Sequence, residues 1–339
     1  MKKVLVVKLC CIGDIIQATP ALRALKAAGC EVHFLCTEWV KDLVDMIPFA
    51  DKKWVINPKS ITGLFKIIFN LRREKYDLIV NFHRDSKSCL FAAVLGAKRK
   101  AGFNWKGQGV FLNDKFIFDE KQHESLRYLS IVEGLGFERK GVNTEIKAPE
   151  RKNLSQNRGK LKAGIFPGGG VNPGTKMFTK RWPAVNFAEL SRKLEKKGFE
   201  IYFFGSESDR DALKEASRFT PGAQMVKTAT LKELASCIAD MDVFVAGDTG
   251  PLHMSAALGV KTIGLFGPTS ADLVGPLGEN TVNIWGKTQC SPCYEPGTVH
   301  YGEFKKCRDN FCMKEITVGK VEQIILDLFD SGLKTQGPS

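Results

Sequence analysis

The chain has 339 residues, 43% of them hydrophobic and 26% charged, with a formal net charge of +13 and ten cysteines. At about 150 residues per domain this length predicts two domains, and the composition excludes a disordered or fibrous chain. No apolar run reaches the roughly 18–20 residues that a bilayer-spanning helix needs, and the basic balance favours anionic partners without choosing among nucleic acid, anionic lipid and phosphorylated substrates.

The opening run, Met1 to Lys8, has some look of a signal peptide, but Lys8 interrupts it and no small-residue cleavage site follows. Lys3–Leu9 therefore reads as a first buried strand, and the protein as cytoplasmic. Where the next helix starts is open. Asp14 can act as its cap, and Thr19-Pro20 also reads as a cap and first helical residue, with Leu22 and Leu25 apolar and Gly29 as the stop. Glu31–Cys36 and Trp54–Ile56 read as strands. Ser60–Arg73 has helical spacing, with Ile61, Leu64, Phe65, Ile68 and Leu71 on one side. Asp77–Phe82 is a further strand, and Leu126–Leu135 a helix that closes this half.

The polar stretch Pro149–Lys160 reads as a linker, giving domains over 1–155 and 161–317 and a C-terminal helix over 318–333. In the second half, strands are expected at Ala163–Phe166, Glu200–Phe204, Asp242–Ala246 and Lys261–Phe266. Helices are expected after Trp182-Pro183, over Leu231–Ala239 and over Val318–Phe329. Strands alternating with helix-length segments indicate parallel βαβ units and an α/β fold. In such sheets ligands sit outside the carboxyl ends of the strands. Four loops are thereby expected to converge: Pro167–Gly170, Gly205–Asp209, Gly247–His253 and Gly267–Thr269.

Three constellations carry chemistry. In Gly247-Asp248-Thr249-Gly250-Pro251-Leu252-His253, Pro251 suits the first turn of a helix. The unpaired N–H groups of a helix start, with Gly250 allowing close approach, form an anion site. Thr249 adds a hydroxyl, or serves only as a cap, with His253 a core residue. Lys180 and Arg181, beside a helix start and after a Gly-rich loop, can neutralise phosphate, or form a solvated basic turn. Asp14, at the carboxyl end of the first strand, can take a proton from an attacking hydroxyl. General base catalysis of this kind is worth about 10²–10⁴-fold.

Four segments, KLCCIGDIIQATPALRAL at 8–25, FPGGG at 166–170, TKRWP at 179–183 and GDTGPLHMSAALGVKTIGLFGPT at 247–269, together resemble glycosyltransferase family 9. This is the family of ADP-heptose:lipopolysaccharide heptosyltransferases, and the resemblance runs in order over nearly the whole chain. It implies a GT-B fold: two Rossmann-like domains whose parallel sheets face each other across a cleft, acceptor on the first and nucleotide-sugar on the second. It implies inverting, metal-independent transfer. Asp14 would be the catalytic base, and Lys8, Cys10, Cys11 and Gly13 would line the acceptor. Lys180, the run Asp248, Thr249, Gly250, Pro251, Leu252 and His253, and Gly168 and Gly169 would hold the donor, with Ser206 and Glu207 by the nucleoside. The family often has Ser or Thr before the Gly-Asp pair, where this chain has Cys10-Cys11. A hydroxyl contact to the acceptor is missing or replaced. The implied partners are ADP-heptose, a phosphorylated lipopolysaccharide-core acceptor and the anionic inner face of the cytoplasmic membrane, where the protein would be peripheral.

Six cysteines, Cys10, Cys11, Cys30, Cys36, Cys89 and Cys237, lie in or beside apolar segments and read as small buried hydrophobes. The other four, Cys290, Cys293, Cys307 and Cys312, have pair spacings found in structural zinc sites. The alternatives are reduced thiols in an irregular loop or a redox role. A zinc there is expected away from the catalytic residues, and no cofactor is expected in catalysis. Two rival functions stay open. One is a GT-B relative such as an epimerase, which needs no second acceptor. The other is a nucleic-acid-binding protein, for which no module or aromatic–basic stripe is evident, so nucleic acid is not an expected partner.

Overall fold

The Val-rich run near the amino terminus forms β1 (Lys3–Val7), whose last four residues are buried, as befits a strand covered on both faces. In this computed structural model, which describes residues 1–154, 159–172, 175–294 and 307–333, the chain divides into two units, Met1–Lys147 and Ala148–Ser339. Residues 155–158, inside the expected linker, lie outside the described residues.

The first unit adds β2 (Glu31–Thr37), β3 (Lys52–Ile56), β4 (Leu78–Asn81), β5 (Arg99–Phe103) and β6 (Asp114–Phe116). Its helices are α1 (Ile12–Gln17), α2 (Thr19–Ala27), α3 (Lys41–Val44), α4 (Ile61–Arg73), α5 (Ser86–Val94) and α6 (Glu124–Gly134). All strand pairs are parallel, in the order β3-β2-β1-β4-β5-β6. One face of this sheet packs Leu5, Val7 and Ile79 against Ile67 and Leu71 of α4 and Ala92 of α5.

The second unit repeats the plan. Its strands are β7 (Lys162–Phe166), a short antiparallel pair β8 (Val171–Asn172) and β9 (Thr175–Lys176), β10 (Glu200–Phe204), β11 (Gln224–Val226), β12 (Val243–Gly247), β13 (Lys261–Phe266) and β14 (Thr281–Trp285). Its helices are α7 (Ala184–Lys196), α8 (Arg210–Ala216), α9 (Leu231–Ile238), α10 (Gly250–Ala257), α11 (Ala271–Val274), α12 (Phe311–Lys314) and α13 (Val318–Leu333). The parallel sheet runs β11-β10-β7-β12-β13-β14. Trp182, Phe187, Leu190, Ile263 and Val321 belong to its core.

Each sheet thus has its first strand in the middle, and the order reverses beside it, between β1 and β4 and between β7 and β12. At such a switch point the loops leave in opposite directions and open a crevice at the carboxyl ends, where doubly wound sheets bind ligands.

Several local expectations need correction. β1 ends at Val7 rather than Leu9. Leu9 instead donates its N–H to His83 Nε2 at 2.8 Å. Both helix starts exist, since α1 and α2 meet at Ala18. Asp14 lies inside α1 and caps nothing. Thr19 is not a cap either: it is buried within α2, donating to Ile16 O at 2.7 Å and accepting from Glu145 N at 3.0 Å. Cys10 is exposed and Cys11 partly so, unlike the buried Cys30, Cys36, Cys89 and Cys237. They follow the end of β1, where the chain has left the core.

Candidate active site

In the first unit the loop after β1 turns through Cys11, a non-glycine residue at φ 74°. A side chain in that region costs on the order of 1–3 kcal/mol, and such strain concentrates at functional turns. The turn starts α1 early and sets Asp14 opposite Lys8, with Nζ to Oδ2 at 2.8 Å. The Lys8 side chain is 8% exposed and that of Asp14 40%. Burial works against the lysine charge, but Asp14 first, then Tyr128 and Glu124, outweigh that and hold the ammonium well above its ordinary range. Lys8 also lies 5.4 Å from the Tyr128 ring centroid. The arrangement keeps a fixed positive charge beside a carboxylate that faces solvent.

The loop after β4, on the other side of the switch point, adds residues the sequence reading did not single out. His83 accepts from Leu9 through Nε2, and burial, with Lys8 nearby, lowers its imidazole to about 3. It is therefore a neutral acceptor that ties this loop to the β1 loop. The Arg84 guanidinium lies 4.8 Å from the Trp105 ring and 4.9 Å from the Phe118 ring. A findable signal existed: His83-Arg84-Asp85 directly follows the apolar run that ends at Phe82. Cys10 and Cys11 have their sulfurs 3.3 Å apart. The Cys11 contact first, and the Lys8 charge, lower the Cys10 thiol to about 7.

In the second unit the four expected loops do meet. Lys180 Nζ donates to Asp248 Oδ2 at 2.6 Å, and Thr269 Oγ1 donates to the same oxygen at 2.9 Å. His253 Nε2 stands 3.8 Å from Asp248 Oδ1. Burial alone would raise the Asp248 carboxyl, but Lys180 and then His253 reverse this and hold it well below the carboxylate range. Lys180 also lies 4.8 Å from the Tyr294 ring centroid. It is thus not a solvated turn lysine: its side chain is 10% exposed.

A second hub, Asp209, was not anticipated. It is buried and accepts from Gly169 N at 2.9 Å, Arg181 Nη2 at 3.0 Å and Ser206 Oγ at 2.7 Å. Arg181 in turn donates through Nε to Gly169 O at 2.9 Å. Arg181 is therefore a loop strut, and Ser206 caps the turn that follows it. Glu207 is exposed and paired with Arg210. The glycines are obligatory here. A Cβ on Gly168 would stand 2.2 Å from Asp209 Oδ1, and one on Gly169, at φ +102°, 2.2 Å from Thr249 Cγ2. The chain approaches too closely for any side chain.

α10 begins at Gly250 with Pro251 in its first turn. Its early N–H groups lack intrahelical partners and carry the positive end of the helix dipole. Thr249 does not cap it with its side chain. The hydroxyl donates to Gly247 O at 3.1 Å. Leu252 and His253 are buried, and His253 Nδ1 has no hydrogen-bond partner among the described residues. Lys180, a helix start and a hydroxyl thus border one spot, a set suited to a diphosphate.

The late cysteines lie nearer this site than expected. Cys293 N and Tyr294 N both donate to Pro268 O, at 3.0 and 2.9 Å, next to Thr269. Asn310 Nδ2 donates to Arg181 O at 3.0 Å, and Trp182 Nε1 to Ile316 O at 2.8 Å, so the segment around Cys312 braces the Lys180 turn. Burial, with Cys293, Cys290 and Cys307 nearby, raises the Cys312 thiol to about 11. Among the described residues, no three His, Cys, Asp or Glu side chains are grouped so as to hold a metal ion.

The comparisons with known proteins point one way. The model of glycosyltransferase family 9 (heptosyltransferase) matches residues 64–301. Lipooligosaccharide heptosyltransferase 2 of Campylobacter jejuni is 26% identical over 324 residues, covering 91% of this chain and 93% of that protein. The structure of the E. coli ADP-heptose lps heptosyltransferase II superposes with a TM-score of 0.77 at 20% identity, over 98% of this chain and 99% of that one. E. coli heptosyltransferase WaaC with ADP gives 0.75 at 19% identity, over 96% and 99%. The fold is the GT-B type, built from two Rossmann-like units.

Proposed function

Since the chain belongs to glycosyltransferase family 9, we propose that it moves a heptose from ADP-heptose to a phosphorylated inner-core lipopolysaccharide acceptor, with inversion and without a catalytic metal. It is a glycosyltransferase. The observation that carries the reading is the Lys180–Asp248 pair beside the start of α10, at the switch point of the second sheet. The names of its relatives support heptose as the sugar.

The first unit binds the acceptor at Lys8, Cys10, Cys11 and Gly13, and Asp14 takes the proton from the attacking hydroxyl. Lys8 keeps that carboxylate oriented. The oxygen attacks the anomeric carbon on the face opposite the departing ADP, which inverts the centre. The glycosidic bond breaks and its electron pair passes to the diphosphate. The growing negative charge meets Lys180, the Thr249 hydroxyl and the first-turn N–H groups of α10. Gly168 and Gly169 give the donor close access, and Ser206 and Glu207 border the nucleoside. Loss of one such fixed donor typically costs about 3–4 kcal/mol of transition-state stabilisation.

The test is a calorimetric titration with ADP and, separately, with acceptor. Lys180→Ala and Thr249→Val should each weaken ADP binding and lower turnover, Lys180→Ala more, while acceptor affinity stays unchanged. Weakened acceptor binding with ADP binding intact would reverse the assignment of the two units. Cys290, Cys293, Cys307 and Cys312 would separately hold a structural zinc. Elemental analysis of protein purified without an affinity-tag metal should find about one zinc per chain; four freely titrating thiols would exclude it.

The acceptor's lipid anchor would bring the enzyme to the cytoplasmic face of the membrane as a peripheral protein. Among the described residues no helix is long and apolar enough to cross a membrane.

A further inference from the structure

α4 has two apolar faces, and the fold uses one. Ile67 and Leu71 are buried, and Leu64 and Ile68 pack against the core of the first sheet. On the outer side Ile61, Phe65 and Phe69 are 74%, 69% and 61% exposed. They stand four residues apart, so they form one row along the helix. The end of α5 is tied to the end of α4, its Val94 carbonyl accepting from Arg72 Nη1 at 2.9 Å. It adds Leu90 and Val94 to the exposed apolar surface. Isolated exposed apolar residues are ordinary, but a contiguous row marks an interaction surface.

The charges around the row choose the partner. Lys59, Lys66, Arg72 and Arg73 lie on or beside α4, and from Pro58 to Arg73 the sequence has no acidic residue. The Arg73 guanidinium is 5.6 Å from the Phe69 ring centroid. Glu74, the next carboxylate, is occupied by Lys3 and Lys52. A twofold contact between copies through this face would set like-charged rims against each other. An anionic bilayer supplies the opposite charge to the rim and an apolar layer to the row.

We infer that α4, with the end of α5, is the face by which this protein docks on an anionic membrane surface. Ile61, Phe65 and Phe69 enter the boundary between headgroups and acyl chains, and Lys59, Lys66 and Arg73 meet lipid phosphates. The inference deepens the proposed reaction, since it rests on an acceptor anchored in lipid, but it is tested without transfer.

The experiment is co-sedimentation of the full chain with vesicles of phosphatidylethanolamine and phosphatidylglycerol, and with vesicles of phosphatidylcholine alone. The wild type should bind the anionic vesicles at least about tenfold more strongly, and salt should weaken this binding. F65S/F69S and K66E/R73E should each lower it by about tenfold or more, with Tm preserved and with unchanged turnover on a delipidated, water-soluble acceptor. Equal binding to both vesicle types, wild-type binding by F65S/F69S, or a wild-type dimer that F65S/F69S abolishes would each overturn the inference. If docking fails while soluble acceptor is still glycosylated, the reaction stands without it. If docking holds but no sugar is transferred, the proposed reaction falls alone.

Discussion

Replacing Asp248 with Asn removes one charge from a buried pair and leaves Lys180 behind. Both side chains are nearly enclosed, 10% exposed for Lys180 and 12% for Asp248, so solvent screens the pair weakly. Breaking such a pair costs about 3–5 kcal/mol. Asn keeps one oxygen that can accept from Lys180, which argues for the lower end, about 3 kcal/mol. For a unit of this size each kcal/mol moves Tm by roughly 2–4 °C, so a fall of roughly 6–12 °C is expected. ADP should then close part of the gap, because its diphosphate gives the unpaired ammonium a new counter-charge. A tenfold tighter affinity in the variant would return about 1.4 kcal/mol at saturating ligand. The assay is thermal unfolding of Asp248→Asn and wild type, with and without ADP. Burial pushes the Asp248 carboxyl up and Lys180 pulls it further down, with the net folded value below the ordinary 3.8. A carboxyl held low contributes stability above its unfolded value and loses it only as pH falls through the folded one. The Lys180 part of the gap should therefore be flat from about pH 5 to 8. A Tm within measurement error of wild type, or a gap that ADP widens, would refute the pairing argument and the place of the diphosphate.

Asp14→Asn should lower turnover at least about 10²-fold while leaving ADP affinity unchanged, as expected for loss of a general base, with a fall in Tm because it leaves the buried Lys8 without its counter-charge; near-normal turnover would remove Asp14 from the chemistry. His83 predicts an acid limb. Its folded value of about 3 lies below the ordinary 6.5, so the unfolded chain binds the proton first and stability should fall as pH drops from about 6.5 towards 3. His83→Gln keeps an acceptor for Leu9 and should flatten that limb in equilibrium unfolding; an unchanged slope would assign it to other groups.

The sequence made the α/β alternation legible because buried parallel strands are long apolar runs: EVHFLC and VFVAG could hardly be anything else. It did not disclose β5, β6 or β11, which open on polar residues or have only three residues, and whose pairing depends on a neighbour already in place. The loops of the second unit were legible because glycines mark strand ends. What those loops do to one another was not. Asp209 looks like any acid after a serine-rich turn, and only the fold brings Gly169, Arg181 and Ser206 to it. Lys180 and Arg181 are adjacent and basic, yet the structure sets one on Asp248 and the other on Asp209. Tertiary pairing of that kind leaves no local signature. Cys10 and Cys11 misled in the opposite sense, because apolar neighbours on both sides suggested burial where a strand end exposes them.

Heptosyl transfer is tested most directly by incubating the full chain with ADP-heptose and a heptose-less, phosphorylated lipopolysaccharide core, and following ADP release and acceptor mass together. ADP release should depend on the acceptor, be matched by an acceptor heavier by one heptosyl residue in inverted linkage, and be lost in Asp14→Asn. A donor that is epimerised or hydrolysed while the acceptor mass stays fixed would contradict it.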